Sequence, residues 1–413
     1  MKKLGIFFLL VTLCFSIGAG AQEEEQPTEF KLGFMSSLTG TFAAVAETQK
    51  MGVLLAADQV NARGGLDMPW GKVKVTTIVK DDESKLDVGV RRFREMVGDG
   101  INALVGTVWN PMAAALNEET KLTPIPYLAA CVPALDSFRK GNPAPGTFSV
   151  AFTPWSIGYL SGASAINGLG KKRIFFVSRA DSWGSTIYEG LEAAVKEYGG
   201  EIVGFAEFPK GNVDFTSAIN KALDVKPEVF MACQFAGDAI ALFKQAYDMG
   251  LYEVSAMFNT WITNVVAVGI PENALSGLNA LSFYYYGMEG FEDQQAVEMA
   301  KLYTADHMKM WNEPPDAYGT IAYIAANLIF EAVERAGSFD AEAVGKVLRE
   351  SQDLTTVKGD VYFREDHEMV GKYLAYIVEG KTPAEKKDKW DVFKITGYFG
   401  GESALPTLES LGY

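Results

Sequence analysis

The sequence predicts an α/β protein of two doubly wound lobes, each built on its own mostly parallel sheet. Three observations carry that expectation. From Phe30 onward, short apolar runs of strand length alternate with amphipathic stretches of helix length, as in βαβ units whose helices cover both faces of a parallel sheet. The alternation starts afresh after the Pro/Gly-rich stretch Gly141-Asn-Pro-Ala-Pro-Gly146. The chain has 413 residues, room for two or three domains at about 100–200 residues each.

The first 21 residues read as a signal peptide rather than as part of the fold. Lys2 and Lys3 are followed by the apolar run Leu4–Ile17, which is too short to span a bilayer comfortably. Ala19-Gly-Ala21 then offers a small-residue cleavage site before Gln22, so export to the periplasm and cleavage near Ala21-Gln22 are expected. Cys14 raises lipid attachment, but Leu13 precedes it where a small residue is wanted. No later stretch reaches the ~18 uninterrupted apolar residues of a membrane span.

The elements follow in order. Phe30–Met35 reads as a strand, Ala43–Asn61 as a helix stopped by Gly64-Gly65, and Val73–Val79 as a strand. Asp82–Ser84 offers N-caps for a helix through Val97. Strand Ile101–Val108, a helix from Pro111 to about Leu122 and strand Ile125–Ala130 complete the first series. The second series runs through helix Pro154–Asn167, strand Arg173–Ser178, helix 185–198, strand Glu201–Phe208 and helix Phe215–Leu223. Strand Glu228–Cys233, helix Asp238–Met249 and strand Ser255–Asn259 close it. Phe283-Tyr-Tyr-Tyr286 reads as a crossover strand leading to long helices near Glu292–Met310 and Ala317–Ala336. Val361–Phe363 and Tyr373–Val378 return to strand-like runs.

Composition narrows the function. Lys+Arg number 37 against 52 Asp+Glu, a net charge of -15, so the chain lacks the basic footprint of a nucleic-acid binder. The two histidines, His307 and His367, have no Cys/His partner at metal spacing and read as surface residues. Gly98-Asp-Gly100-Ile-Asn-Ala103 mimics a dinucleotide fingerprint but lies between a helix and a strand, the wrong order. The Ser of Gly158-Tyr-Leu-Ser-Gly162 is one place out of register for a nucleophile elbow. Neither an enzyme nor a cofactor or metal is expected. Cys131 and Cys233 read as two separate buried thiols, although export would permit a disulfide.

In open α/β sheets ligands bind beyond the carboxyl ends of the strands, so the residues after each strand are the candidates. Ser36–Phe42 brings hydroxyls and backbone N–H groups ahead of the first helix. In Trp109-Asn110-Pro111, Asn is a favoured N-cap and Pro a favoured first helical residue. The freed N–H groups of Met112 and Ala113 would then hold an anion. Asp181 and Trp183 follow the next strand, Trp183 as an exposed lid. Phe235 and Trp261 follow two more, so that rings line the cleft.

Taken together, several stretches resemble the type I periplasmic solute-binding proteins of ABC transporters, the Leu/Ile/Val-binding branch. They are KLGFMSSLTGTFA (31–43), GVLLAADQVNARGGL (52–66), VKDDESK (79–85), GINALVGTVWNPMAAA (100–115), SRADSWGSTIYEGLEAAVKEYGGEIVG (178–204) and AYGTIAYIAANLIFEAVERAGS (317–338). The resemblance implies three crossovers between the lobes and a ligand clamped in the cleft. It also implies an ABC permease in the inner membrane as partner. It would place an amino-acid carboxylate at Trp109-Asn110-Pro111 and at Ala130-Cys131-Val132, with Trp183 and Phe235 over the ligand. The family's acid for the α-ammonium would fall near Trp261, where this sequence has none. Either Asp181, Asp238 or another acid replaces it, or the ligand has no α-amino group. Lobe 1 is expected over 28–150 plus 285–358 and lobe 2 over 151–284 plus 359–413. The expected ligand is a compact apolar or aromatic carboxylate or amino acid, its carboxylate held by helix N-termini rather than by Arg. A ligand sensor of the same fold is the alternative to a transport receptor.

Overall fold

The computed structural model describes residues 26–130, 140 and 143–413. The expected signal peptide, Cys14, Cys131 and Val132 lie outside the described residues. Two large sheets carry the architecture. In the first, the order is β2 (Leu66–Met68), β3 (Gly71–Asp81), β1 (Glu29–Ser36), β4 (Ala103–Gly106), β5 (Tyr127–Ala129) and β6 (Thr147–Ser149). All neighbours but the β2–β3 hairpin are parallel. In the second, β8 (Glu201–Phe208), β7 (Arg173–Arg179), β9 (Val229–Ala232), β10 (Ala256–Asn259) and β11 (Asn279–Ser282) are parallel. β15 (Ala375–Gly380) and β16 (Phe393–Phe399) add to that sheet as antiparallel strands. The central strands read as continuous buried apolar runs, such as Val229–Ala232, because helices cover both faces.

The chain passes between the sheets three times. It leaves the first after β6 for helix Pro154–Ala163 and β7. It leaves the second after β11 for helices Gln294–Trp311 and Ala317–Ala336. It returns through a small antiparallel sheet, β12 (Leu354–Thr356), β13 (Gly359–Phe363) and β14 (Met369–Gly371), into β15. Helix Ala317–Ala336 packs on helix Ala43–Ala62, and the two approach so closely that a Cβ on Gly52 would lie 2.1 Å from the Gly319 carbonyl oxygen. Buried ions tie the passages together. Arg364 grips Asp366 with Nη2–Oδ2 at 2.6 Å and Nε–Oδ1 at 3.0 Å, and Glu368 accepts the Thr153 N–H at 3.2 Å.

Several expectations are corrected. Phe283–Tyr286 is not a strand. β11 stops at Ser282, whose hydroxyl donates to the Tyr284 carbonyl, and Tyr284 and Tyr285 turn into the core. Asp82 caps no helix, because the helix begins at Leu86 and the Asp82 carboxylate instead accepts the Ser37 and Thr107 hydroxyls at 2.6 and 2.8 Å. Neither histidine is on the surface. His307 is 1% exposed, with Nδ1 2.6 Å from the Glu313 carbonyl. His367 is 8% exposed, stacked on Phe148, with Nδ1 2.8 Å from the Thr147 carbonyl. An imidazole whose polar edge finds a carbonyl can be buried neutral, and burial lowers both pKa values below 6.5.

Candidate functional site

The first lobe's strand ends are largely self-satisfied. The Asp81 carboxylate accepts the Leu38 and Glu83 N–H groups at 2.9 and 2.8 Å and the Thr39 hydroxyl at 2.7 Å. Those loop donors are therefore spent within the protein and do not point at a ligand as expected. The helix after β4 corrects a second expectation. It spans Asn110–Leu122 and its N-cap is Trp109, not Asn110. The Trp109 carbonyl takes the N–H groups of both Met112 (3.0 Å) and Ala113 (3.1 Å), so the two donors anticipated for an anion there are already spent.

The second lobe supplies the charge. β7 ends at Arg179, whose Nε donates to Asp181 Oδ2 at 2.7 Å. Asp181 Oδ1 caps the following helix, Ser182–Tyr198, by accepting the Gly184 N–H at 3.2 Å. The Arg179 guanidinium carbon lies 5.5 Å from the Trp183 ring centre, within cation–π range. Trp183 is 5% exposed and donates its indole N–H to the Cys233 carbonyl at 2.9 Å. It is thus part of a packed wall and not an exposed lid. The Cys233 thiol accepts the Arg179 backbone N–H at 3.2 Å, and burial pushes its pKa up to about 12.

Between these walls lies a cavity of about 280 Å³. Phe42, Val108, Trp109, Asn110, Pro111 and Tyr318 line it from the first lobe. Arg179–Trp183, Lys210 and Phe235 line it from the second. The lobes meet around it: Lys210 Nζ stands 4.9 Å from the Phe42 ring centre, and the Phe235 and Tyr318 rings are 5.9 Å apart. Its size suits a compact solute, being near the lower end of the ~300–1,000 Å³ range of ligand pockets. A larger hollow of about 790 Å³ borders Tyr286, Phe291 and Lys387 and draws its lining from one sheet's connections rather than from both.

The structure thus brings Trp109, Asn110, Pro111, Asp181, Trp183 and Phe235 to one cavity. Two other expected residues are not in its wall. Trp261 is 1% exposed, packed edge-on to Phe152 (5.3 Å) and Tyr318 (6.1 Å), one layer behind. Ala130 is fully buried, and its carbonyl accepts the Gln49 side-chain amide. Phe42 enters through its ring rather than through the hydroxyls and N–H groups expected of Ser36–Phe42, and Lys210 and Tyr318 are lining residues that sequence reasoning did not select. Lys210 was within reach of the same rule, since it follows β8 by two residues. Tyr318 was not, because its helix reaches the cleft from elsewhere in the chain. The wall also holds two cations, Arg179 at the end of β7 and Lys210 just after β8, beside the helix start at Trp109–Pro111. Among the described residues no group of three or more His, Cys, Asp and Glu could hold a metal, and no helix is long and apolar enough to cross a membrane.

A family model described as periplasmic binding protein matches residues 29–386. The chain is 22% identical over 398 residues to Leu/Ile/Val-binding protein homolog 3 of Brucella melitensis, covering 96% of this chain and 99% of that one. Among solved structures it is similar to an amino acid ABC transporter substrate-binding protein from Pseudomonas fluorescens Pf-5, with a TM-score of 0.82 at 20% identity over 93% of this chain and 98% of that one. An ABC transporter solute-binding protein from R. palustris in complex with benzoate superposes with a TM-score of 0.74 at 20% identity, over 92% of this chain and 97% of that one. These structures share the two-lobed fold, with mixed sheets and covering helices.

Proposed function

Because the chain belongs to the periplasmic binding protein family, we propose that it is the extracytoplasmic receptor of an ABC importer, closing its lobes on a small organic carboxylate. One observation carries the reading. The cavity sits where the carboxyl ends of the parallel strands of two sheets face each other, with rings from both lobes and two cations from the second lobe in its wall. The solute class is a compact apolar or aromatic carboxylate or an amino acid of the branched-chain type. Export through the signal at residues 1–21 and delivery to an inner-membrane permease complete the role. Lobe 1 is assigned to 28–150 plus 285–358 and lobe 2 to 151–284 plus 359–413.

The rings contribute apolar burial at about 25 cal/mol per Å², and association costs leave only part of that as affinity. Clamshell closure excludes water, which strengthens each charge–charge contact inside. A thermal-shift screen of carboxylates, amino acids and sugars tests the reading. A true ligand at 100 times its Kd should stabilise the fold by about 2.7 kcal/mol. Solution scattering at saturation should show a smaller radius of gyration. A tightest ligand that is a sugar, or a scattering curve unchanged by confirmed binding, would sink the proposal.

A further inference from the structure

We infer that the cleft selects an organic monoanion and rejects its α-amino counterpart; this rests on the solute-receptor reading above and names its substrate class. Two cations, Arg179 and Lys210, line the cavity, against one acid among the described residues, Asp181. That acid is already engaged at both oxygens, by Arg179 Nε at 2.7 Å and by the Gly184 N–H at 3.2 Å. Asp238 stands outside the lining, where its carboxylate feels both Arg179 and Lys210 and its Oδ2 accepts the Gly211 N–H at 2.8 Å, so it is a counter-charge to the cations and not a group facing the solute. Behind the wall, Trp261 is buried and apolar apart from its indole N–H, which is a donor like the ammonium itself.

The cations are available. Arg179 spends only its Nε on Asp181, and its side chain is 12% exposed, so among the described residues both terminal guanidinium nitrogens have no acceptor. A fork of that kind matches a carboxylate in two parallel hydrogen bonds. Lys210 stands over the face of Phe42, across the cleft, and within electrostatic reach of Asp238. A carboxylate therefore finds two positive groups, and its hydrocarbon part finds Trp183, Phe235 and Tyr318. An α-ammonium entering with it would lose its water, meet two like charges and find no unengaged carboxylate in the described wall.

Matched pairs that differ only in the α-amino group test this on the purified mature chain: 4-methylpentanoate against leucine, and 3-phenylpropanoate against phenylalanine, by titration calorimetry. The deaminated acid should bind at least tenfold more tightly in each pair. Lys210→Met should weaken it at least fivefold without moving the apo melting temperature, since Lys210 is an exposed side chain, and Arg179→Gln should weaken it further. Amino acids binding as tightly as their deaminated partners, or Lys210→Met and Arg179→Gln variants with unchanged affinity, would overturn the inference while leaving a solute receptor in place. If neither member of any pair nor any other carboxylate produces heat or a thermal shift on the folded chain, the wider reading falls with it.

Discussion

Replacing Trp183 separates its role in the wall from its role in the core, and the structure sets the size of each. The side chain is 5% exposed, so alanine would delete nearly all of a buried indole. A buried aromatic covers about 150–250 Å², which at about 25 cal/mol per Å² is about 4–6 kcal/mol. Core Trp→Ala substitutions cost about 3–5 kcal/mol, in agreement. The indole N–H also satisfies the Cys233 carbonyl at 2.9 Å, and stranding a buried acceptor costs about 1–3 kcal/mol. Trp183→Phe keeps a ring and loses that donor, so it should lose about 1–3 kcal/mol of stability. Trp183→Ala should lose about 3–5 kcal/mol of stability and more than ~1 kcal/mol of binding energy. Urea denaturation of the apo protein reads the first quantity, and calorimetry with the tightest carboxylate, well below the melting transition, reads the second. A Trp183→Ala protein destabilised by less than ~1 kcal/mol would show that the ring is not a packed wall. Undiminished affinity in a folded Trp183→Ala protein would remove it from the ligand's surroundings.

Three further outcomes are expected. The Cys233 thiol, raised to about 12 by burial, should resist a maleimide at pH 8 in the folded protein and react fully in urea, as read by mass mapping of its peptide. His307 and His367 have pKa values lowered from 6.5 by burial, so the unfolded chain takes up protons first as the pH falls below 6.5; stability present above that pH should decline toward pH 5, and less steeply in a His307→Gln/His367→Gln protein. Arg364→Met should cost about 3–5 kcal/mol in denaturant unfolding by stripping the guanidinium from buried Asp366 and Glu368, and adding Asp366→Asn should recover part of that loss; a single variant within ~1 kcal/mol of the parent would contradict the network's role.

The parallel strands were legible because burial on both faces leaves them as uninterrupted apolar runs, as in Val229–Ala232. The antiparallel additions were harder. β16, Phe393–Phe399, places Lys394, Thr396 and Tyr398 among its apolar residues and lies beyond the alternating series. The aromatic positions Trp183 and Phe235 were legible from the strand-end rule, but their depth was not. Whether an aromatic is lid or wall depends on what packs behind it, and Trp183 is held by a carbonyl 50 residues away. Capping was misjudged at Asn110 and Asp82 for a related reason. Side-chain preference names a residue able to cap, whereas the long-range partners decide whether it does, and Asp82 is claimed by Ser37 and Thr107.

The cleft and the inter-lobe contacts share one turn of helix. Asp316 is buried and caps helix Ala317–Ala336 by accepting the Tyr318 N–H at 2.9 Å with Oδ1. Its Oδ2 reaches into the second lobe and accepts the Val265 N–H at 3.1 Å, while the Asn264 side-chain amide donates to the Pro315 carbonyl at 3.0 Å. Burial raises the Asp316 pKa, and the N–H groups of Tyr318 and Val265 oppose that rise by favouring the carboxylate. Parting the lobes would remove Val265 from this set and disturb the cap two residues before Tyr318, a ring in the cavity wall. On the proposed reading, a solute packed against Tyr318 would stabilise the same helix start that the Asp316 contacts hold between the lobes. Closure would in this way be linked to occupancy through contacts that do not touch the ligand, and Asp316→Asn should weaken ligand binding in titration calorimetry although that side chain lies outside the cavity.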